Sequence, residues 1–221
     1  LRRQRQMCIR DSSSAVVEVS TALTGTADSV TYELADAEGQ VLATAEGLGT
    51  VQLAANGITP WTPETPALYT LRVNVTANGT ADTAEQRIGI RTIQVSSKTG
   101  LLLNGQPRTM KGGCIHHDLG ILGAADHPAA ERRRIRLMKE SGFDAIRAAH
   151  NPFGPAFLNA CDELGMLVVE EAFDEWVMGR TSFGLHVTFE QCWEKDLEDM
   201  ITRDYNHPCI VMWSTGHEVE E

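Results

Sequence analysis

Several things are missing from this sequence, and each absence excludes a class of function. No pair of cysteines stands at CxxC spacing, and the five cysteines (Cys8, Cys114, Cys161, Cys192, Cys209) are odd in number and scattered. That argues for free thiols and against a zinc site or a disulfide framework. No uninterrupted apolar run of about 18 residues occurs, so no helical membrane span is expected. No glycine-rich phosphate loop follows any strand-like run, which weighs against nucleotide binding. Positive charge is scarce: 19 Lys and Arg stand against 30 Asp and Glu, a net charge of −11. Such a balance disfavours nucleic acid and anionic membrane as partners. The first residues, Leu1–Arg10, are basic but lack the apolar core of a secretory signal.

What remains is a chain of 221 residues with 42% apolar content, enough for one large domain or two medium ones. Residues 1–13 match no pattern that follows and are read as a foreign or disordered leader. From residue 14 to about 95 the pattern is all β. Val16, Val17 and Val19 begin a strand, and Ser29–Ala35 alternates with period two. Asp36–Gln40 is a turn, and Val41–Ala45 runs back. Val51–Leu53 is short, and Leu68–Val75 alternates again. Asn78-Gly79 is a favoured hairpin turn, after which Ala84–Ile90 returns. Strands at this spacing predict an immunoglobulin-like β-sandwich. Prolines 60, 63 and 66 hold Trp61–Tyr69 as an extended loop.

After residue 96 the periodicity changes. Leu101–Pro107 is a short hairpin, and Arg108–His117 reads as a strand. Helices are predicted from Pro128 to Gly142, from Pro155 to Gly165, and from a Thr188/Gln191 capping box onward. The last carries an apolar stripe of Phe189, Trp193, Leu197, Met200 and Ile201. Between them Phe143–His150 and Met166–Ala172 are strands, and Cys209–Trp213 is a run without polar alternation, as in a strand buried on both faces. The β-α-β-α-β-α-β order fits a doubly wound sheet or the first half of a (β/α)₈ barrel.

Polar residues gather after every one of these strands: His116, His117 and Asp118; Arg147 and His150; Glu170, Glu171 and Asp174; His217 and Glu218. A barrel enzyme keeps its chemistry on that rim. Carboxylates with His and Arg, and no nucleotide loop, fit glycoside hydrolysis, which needs one acid for the leaving oxygen and one carboxylate across the sugar. Glu218 is the candidate acid, and read alone it would be a surface carboxylate in an acidic tail with Glu220 and Glu221. His117 and His150 are candidate donors to sugar hydroxyls, and Arg147 is a candidate ion-pair partner for a rim carboxylate. A metal reading of His116, His117, Asp118 and Glu171 matches no short metal motif.

Two long runs carry a resemblance. Asp144-Ala-Ile-Arg-Ala-Ala-His-Asn-Pro-Phe153, continuing through Cys161–Ala172, resembles the first signature of glycoside hydrolase family 2, and Asp204-Tyr-Asn-His-Pro-Cys-Ile-Val-Met-Trp-Ser-Thr-Gly-His-Glu218 resembles the second. Trp61–Tyr69 and Gly89–Ile93 resemble the family's immunoglobulin-like domain and its junction with the barrel. Cys114–Gly120 and Glu171–Trp176 are most similar to its β-galactosidase-like bacterial branch.

The resemblance implies a multi-domain β plus α/β protein: a sandwich over 14–95, then strands 1–4 of a truncated (β/α)₈ TIM barrel over 96–221. It implies a retaining exo-β-glycosidase of β-galactosidase type with Glu218 as general acid/base. His117, Asp118, Arg147, His150, Glu171, Asp174 and His217 would line the substrate site. A carbohydrate is the implied partner, and an oligomer of the full-length protein is left open, as is the choice between bacterial cytoplasm and periplasm. The family allows a divalent cation; no cofactor is expected here. The nucleophile Glu, barrel strands five to eight and the family's N-terminal jelly roll are expected outside this stretch, so that the 221 residues alone should not turn over. Two positions depart from the family: His217 stands where it has Asn, a contact to the sugar's 2-hydroxyl, and Tyr205 where it has Arg or Lys. His217 keeps a rival in view, a non-catalytic carbohydrate-binding or adhesion protein with a decayed site.

Overall fold

The computed structural model describes the backbone of Arg2–Asp11, all of 13–217, and Val219. It divides into two compact units, Leu1–Arg108 and Thr109–Glu221. No helix among the described residues is long and apolar enough to cross a membrane.

The first unit is built from alternation. Its strands are β1 (Arg2–Asp11), β2 (Ser14–Ala22), β3 (Ser29–Ala35), β4 (Val41–Glu46), β5 (Thr50–Asn56), β6 (Tyr69–Ala77) and β7 (Thr80–Ile88). They form two antiparallel sheets, ordered β1-β2-β5 and β4-β3-β6-β7. Because successive side chains point to opposite faces, β3 sends Val30, Tyr32 and Leu34 inward, all buried, and leaves Thr31 and Glu33 outside. Val17, Val19, Leu53 and Ala55 from the first sheet meet Tyr32, Leu34, Leu71, Val73 and Ile88 from the second in one apolar cluster. This is the immunoglobulin-like sandwich of two stacked sheets.

The turns behave as their residues require. Asp36 Oδ1 accepts from the amides of Glu38 (3.1 Å) and Gln40 (2.8 Å), closing the β3–β4 turn. Asn78 and Gly79 both have positive φ, 49° and 74°, which sets Ala77 opposite Thr80 in a tight β6–β7 hairpin. In the proline-rich loop Trp61 is fully buried, and Tyr69 Oη accepts from the amide of Thr59 (2.8 Å).

Two readings of this region change. The stretch set aside as a leader is β1, paired antiparallel with β2 from Arg2↔Ala22 to Asp11↔Ser14; its basic composition masked a strand whose partner supplies the pattern. The units part at Arg108/Thr109 rather than at 95/96. The reason is a small antiparallel meander, β8 (Ile93–Ser96), β9 (Gly100–Leu103) and β10 (Gln106–Pro107). Asn104 in its hairpin donates to the carbonyl of Trp61 (3.1 Å) and accepts from the amide of Thr92 (2.9 Å), and Arg108 pairs with Glu64 (2.7 Å).

The second unit is a parallel sheet of β11 (Gly112–Ile115), β12 (Ala145–Ala148), β13 (Leu167–Glu171) and β14 (Ile210–Ser214). Its order is β11-β12-β13-β14, every pair parallel. Helices α1 (Pro128–Glu140), α2 (Pro155–Leu164) and α3 (Phe189–Asp204) make the connections. Sequential order without reversal is that of a barrel, not of a doubly wound sheet. Both α1 and α2 open on a proline, whose missing N–H costs nothing in the first turn. Gly165 ends α2 in the left-handed conformation. β11 is shorter than the strand expected over 108–117. At Gly112 its backbone approaches β12 so closely that a Cβ would lie 2.2 Å from the carbonyl oxygen of Ala145.

Three expectations fail here for physical reasons. Thr188 precedes α3, but its hydroxyl makes no capping bond and lies 3.4 Å from the carbonyl of Leu185, so the capping box does not form. In the predicted stripe Phe189, Leu197 and Met200 pack with Ala172, Phe173 and Trp213, whereas Trp193 and Ile201 are 42% and 36% exposed. β14 is at the edge of this sheet, and Met212 in it is 43% exposed rather than buried.

Candidate active site

Each strand of the parallel sheet delivers polar side chains at its C-terminal end, and the ends of β12, β13 and β14 converge on one carboxylate. Glu170 and Glu171 are neighbours at the end of β13, so they face opposite sides. Glu171, 1% exposed, meets the guanidinium of Arg147 in a fork: Nη2 to Oε1 at 2.7 Å, Nη2 and Nε to Oε2 at 2.9 and 3.1 Å. Ser214, the last residue of β14, donates to the same Oε2 at 2.8 Å. A carboxylate buried this deeply persists as an anion only with such partners.

Histidines surround the pair. Arg147 Nη2 lies 2.6 Å from Nδ1 of His217. The guanidinium has only donors, so that nitrogen is the acceptor, and in the neutral ring the proton sits on Nε2. His150 follows β12 across a cis Ala149–His150 peptide bond. Its Nδ1 is 3.4 Å from Glu171 Oε1 and 3.6 Å from Asp174 Oδ1, enclosed and without a hydrogen-bond partner among the described residues. Burial, and then the neighbouring His217, push the His150 pKa below its ordinary value, which keeps the ring neutral near pH 7. The ring of His150 lies 4.2 Å from that of His217 and 4.9 Å from that of His116.

Arg147, His150, Glu171, Asp174 and His217 are therefore brought together. His117 and Asp118 are not among them. His117 stacks on Phe153 at 4.0 Å, and burial lowers its pKa. Asp118 is exposed and turns back to accept from the amide of Gly120 at 2.9 Å. His116, read from the sequence as a rim residue and possible metal ligand but not as part of the substrate site, is the member of the pair that reaches the cluster. Glu218 lies outside the described residues.

Sequence reasoning also missed the segment after β13. Glu175, 4% exposed, accepts from the amide of Arg180 (2.8 Å) and the amide of His186 (3.1 Å), and its Oε1 lies 2.9 Å from His186 Nδ1. Those bonds, the Arg180 amide first, hold its pKa down at about 2. The glycines mark how closely this segment folds: a Cβ at Gly184 would stand 1.7 Å from Glu175 Oε1, and one at Gly179 would stand 2.1 Å from His186. A GRxxxGxH run over residues 179–186 has no helical or strand period, so only the glycines hinted at it.

On the other face of β13 Glu170 is fully buried. Its Oε1 accepts from the amide of Phe153 (2.8 Å), and burial pushes its pKa up to about 8. A groove of about 390 Å³ nearby, lined by Asn151, Phe173, Leu185, Asp196, Asp199 and Arg203, includes none of the clustered residues.

Among the described residues, neither group of possible ligands fits a divalent cation. His116, His117, Asp118 and Glu171 are not gathered. His150, Glu171 and His217 do offer ligand atoms within 4.8 Å of one another. But both Glu171 oxygens and His217 Nδ1 already receive the Arg147 guanidinium, whose charge stands where a cation would have to go. A second group, Asp162, His207 and Cys209, is a clasp: Asp162 holds the His207 ring at 2.6 Å and the Cys209 amide at 3.0 Å, tying α2 to the turn before β14.

The family model described as glycosyl hydrolases family 2, TIM barrel domain, matches residues 93–221. The chain belongs to glycosyl hydrolase family 2. A second model, described as glycosyl hydrolases family 2, matches residues 6–91, so the two matches meet within two residues of 92. Among curated family 2 relatives, the beta-galactosidase BoGH2A of Bacteroides ovatus is 38% identical over 96% of this chain. A putative beta-glucuronidase of Formosa agariphila is 33% identical over 94%. The chain spans about a quarter of their length, 27% and 21%. Among solved structures, a family 2 member from Bacteroides cellulosilyticus superposes with a TM-score of 0.92 at 34% identity, over 100% of this chain and 30% of that one. The β-glucuronidase of Ruminococcus gnavus in complex with uronic deoxynojirimycin gives 0.88 at 28%, over 99% and 37%.

Proposed function

We propose that this chain is part of a retaining exo-β-glycosidase of β-galactosidase type, with Glu218 as the general acid/base and the nucleophile on a later barrel strand. The observation that carries the reading is the Arg147–Glu171–His217 cluster at the C-terminal ends of adjacent parallel strands, immediately before Glu218 in the sequence. The galactosidase type is supported by the 38% identity to a beta-galactosidase over nearly the whole chain. Relatives named as glucuronidases stand beside it, and a substrate panel decides between them.

Retention needs two carboxyl groups about 5–5.5 Å apart, one protonating the leaving oxygen while the other attacks the anomeric carbon. Glu218 supplies the first. The Arg147 fork and the Ser214 hydroxyl both donate to Glu171, so Glu171 acts as an acceptor, toward sugar hydroxyls as toward these groups. His150, neutral and with an unfilled Nδ1, can give or take one bond. His217 replaces the family's Asn, and the contact from Arg147 leaves its Nε2–H as a donor for the 2-hydroxyl. That favours a working site over a decayed one. Asp174 borders the same cluster through His150; His117 and Asp118 would reach only a more distant part of the substrate.

The test uses the full-length polypeptide that carries this chain against nitrophenyl β-galactoside, β-glucuronide and β-mannoside. The expected result is turnover that prefers the galactoside and falls about 10²-fold or more in Glu218→Gln. Sugar binding without turnover on any of the three would favour the binding protein instead.

A further inference from the structure

The segment that follows β13 is bound to the residues that lead into Glu218. Trp176 Nε1 donates to the carbonyl of Thr215 at 3.0 Å. The amide of His217 donates to the carbonyl of Phe173 at 3.1 Å. Arg180 Nη2 donates to the carbonyl of His217 at 3.0 Å, while its Nη1 stands 3.9 Å from Asp174. Gly216 has no room for a side chain, since a Cβ would come within 2.7 Å of Trp176 Nε1.

The His217 carbonyl is part of the peptide plane that joins His217 to Glu218, and a planar peptide carries the orientation of one side to the other. Arg180 therefore holds the carbonyl that directly precedes Glu218 in the chain. Arg180 is in turn fixed by Glu175, which takes its amide at 2.8 Å and anchors the far end of the segment through His186. Arg147 holds the side chain of His217 and Arg180 holds its carbonyl, so two guanidinium groups clamp one residue from two sides.

We infer that Arg180 is a positioning residue for the general acid/base, set in place by Glu175. This rests on the reading of Glu218 given above. Such a role has a signature that a merely structural one lacks. Protonation of the leaving oxygen matters most when the leaving group is a poor one, and hardly at all for a 2,4-dinitrophenolate. A misaligned acid should thus slow poor leaving groups selectively.

The experiment measures kcat and KM of the full-length enzyme, Arg180→Ala, Arg180→Lys and Glu218→Gln on a series from 2,4-dinitrophenyl to phenyl β-glycosides. In Arg180→Ala, kcat/KM, which reports the glycosylation step in which the acid acts, should fall about tenfold or more for the phenyl substrate and less than about threefold for the dinitrophenyl one. Arg180→Lys, which keeps one donor for the carbonyl, should recover part of the loss. Circular dichroism and thermal melting check that the variants fold; the Arg180 side chain is 39% exposed, so truncation leaves no large cavity. A uniform loss across the series in Arg180→Ala, beside a steep one in Glu218→Gln, would overturn the positioning role alone. A flat series in both would overturn the acid/base assignment and this inference with it.

Discussion

All seven buried polar or charged side chains among the described residues, Glu131, Asp162, Glu170, Glu171, Glu175, Asp204 and Asn206, lie in the second unit and none in the first. The sandwich fills its interior with Val, Leu, Ile and Tyr, and keeps its ion pairs, such as Arg72 with Glu33 and Glu85, at the surface. The second unit buries carboxylates: Glu171 and Glu175 are ringed by donors, whereas Glu170 takes one bond, from the Phe153 amide. Apolar burial is non-directional and stabilises by area, whereas a buried carboxylate demands particular partners at particular places. The first unit can be read as a scaffold; the second uses part of its stability to fix geometry.

The largest effect that could break this contrast is in the sandwich. Leu34 is fully buried between the sheets, so Leu34→Ala should cost about 3–4 kcal/mol in urea unfolding. Met212 in the parallel sheet is 43% exposed, and Met212→Ala should cost less than about 0.5 kcal/mol. Similar losses at both positions would mean that the strand edge at β14 is covered in solution.

Next comes the pH response of the second unit. Glu170 has a native pKa raised to about 8 from 4.5. A raised carboxyl pKa means the unfolded chain loses its proton first. The stabilisation is therefore complete below pH 4.5 and is lost as pH rises through 8. Wild-type stability should fall by on the order of 2–4 kcal/mol between pH 5 and pH 8, and Glu170→Gln should flatten that fall. Parallel stability profiles for the two proteins would show that Glu170 is ionised in the native state.

Removing a partner from a buried carboxylate should be costly in the second unit and cheap in the first. Arg147→Ala leaves Glu171 enclosed without its cation; with Arg147 itself 31% exposed, a loss of about 2–3 kcal/mol is expected, below that of a fully buried pair. Arg72→Ala breaks a pair whose members are 34–52% exposed, and should cost below about 1 kcal/mol. Equal losses in thermal melts would erase the distinction drawn between the two units.

The same contrast explains what could be read ahead of the structure. Alternation in β3 and β6, the Asp36 turn and the Asn78-Gly79 hairpin are local, so period and turn chemistry located them. The rim was legible too, because a polar residue after each apolar run needs no knowledge of pairing. Three things were not. β1 depends on its partner β2 rather than on its own pattern. Two adjacent histidines cannot both face one cluster, and nothing local said that His116 would be the one. Glu175 draws its role from Arg180 and His186, five and eleven residues away in a segment without period.

The smallest expected effect is also the sharpest check on local reading. Thr188 followed by Gln191 has the residues of a capping box, a pattern in which the hydroxyl accepts an amide in the first helical turn. In the structure Thr188 has φ −122° and ψ 0°, no side-chain capping bond, and a hydroxyl turned toward the Leu185 carbonyl at 3.4 Å. The backbone instead makes the short turn, with the amide of Gln191 on the carbonyl of Thr188 at 2.9 Å. The 3-10 turn at Leu185–Val187, which Glu175 holds through His186, sets this geometry from the preceding side. Tertiary anchoring thus overrides a local signal. A true N-cap threonine loses about 1 kcal/mol on replacement by alanine, whereas Thr188→Ala should lose less than about 0.5 kcal/mol, since no bond to a first-turn amide goes, only a long contact to the Leu185 carbonyl and a weak one to the Cys192 thiol. Chemical denaturation of the pair measures the difference directly. A loss near 1 kcal/mol would restore the capping box and show that Glu175 does not dictate how α3 begins.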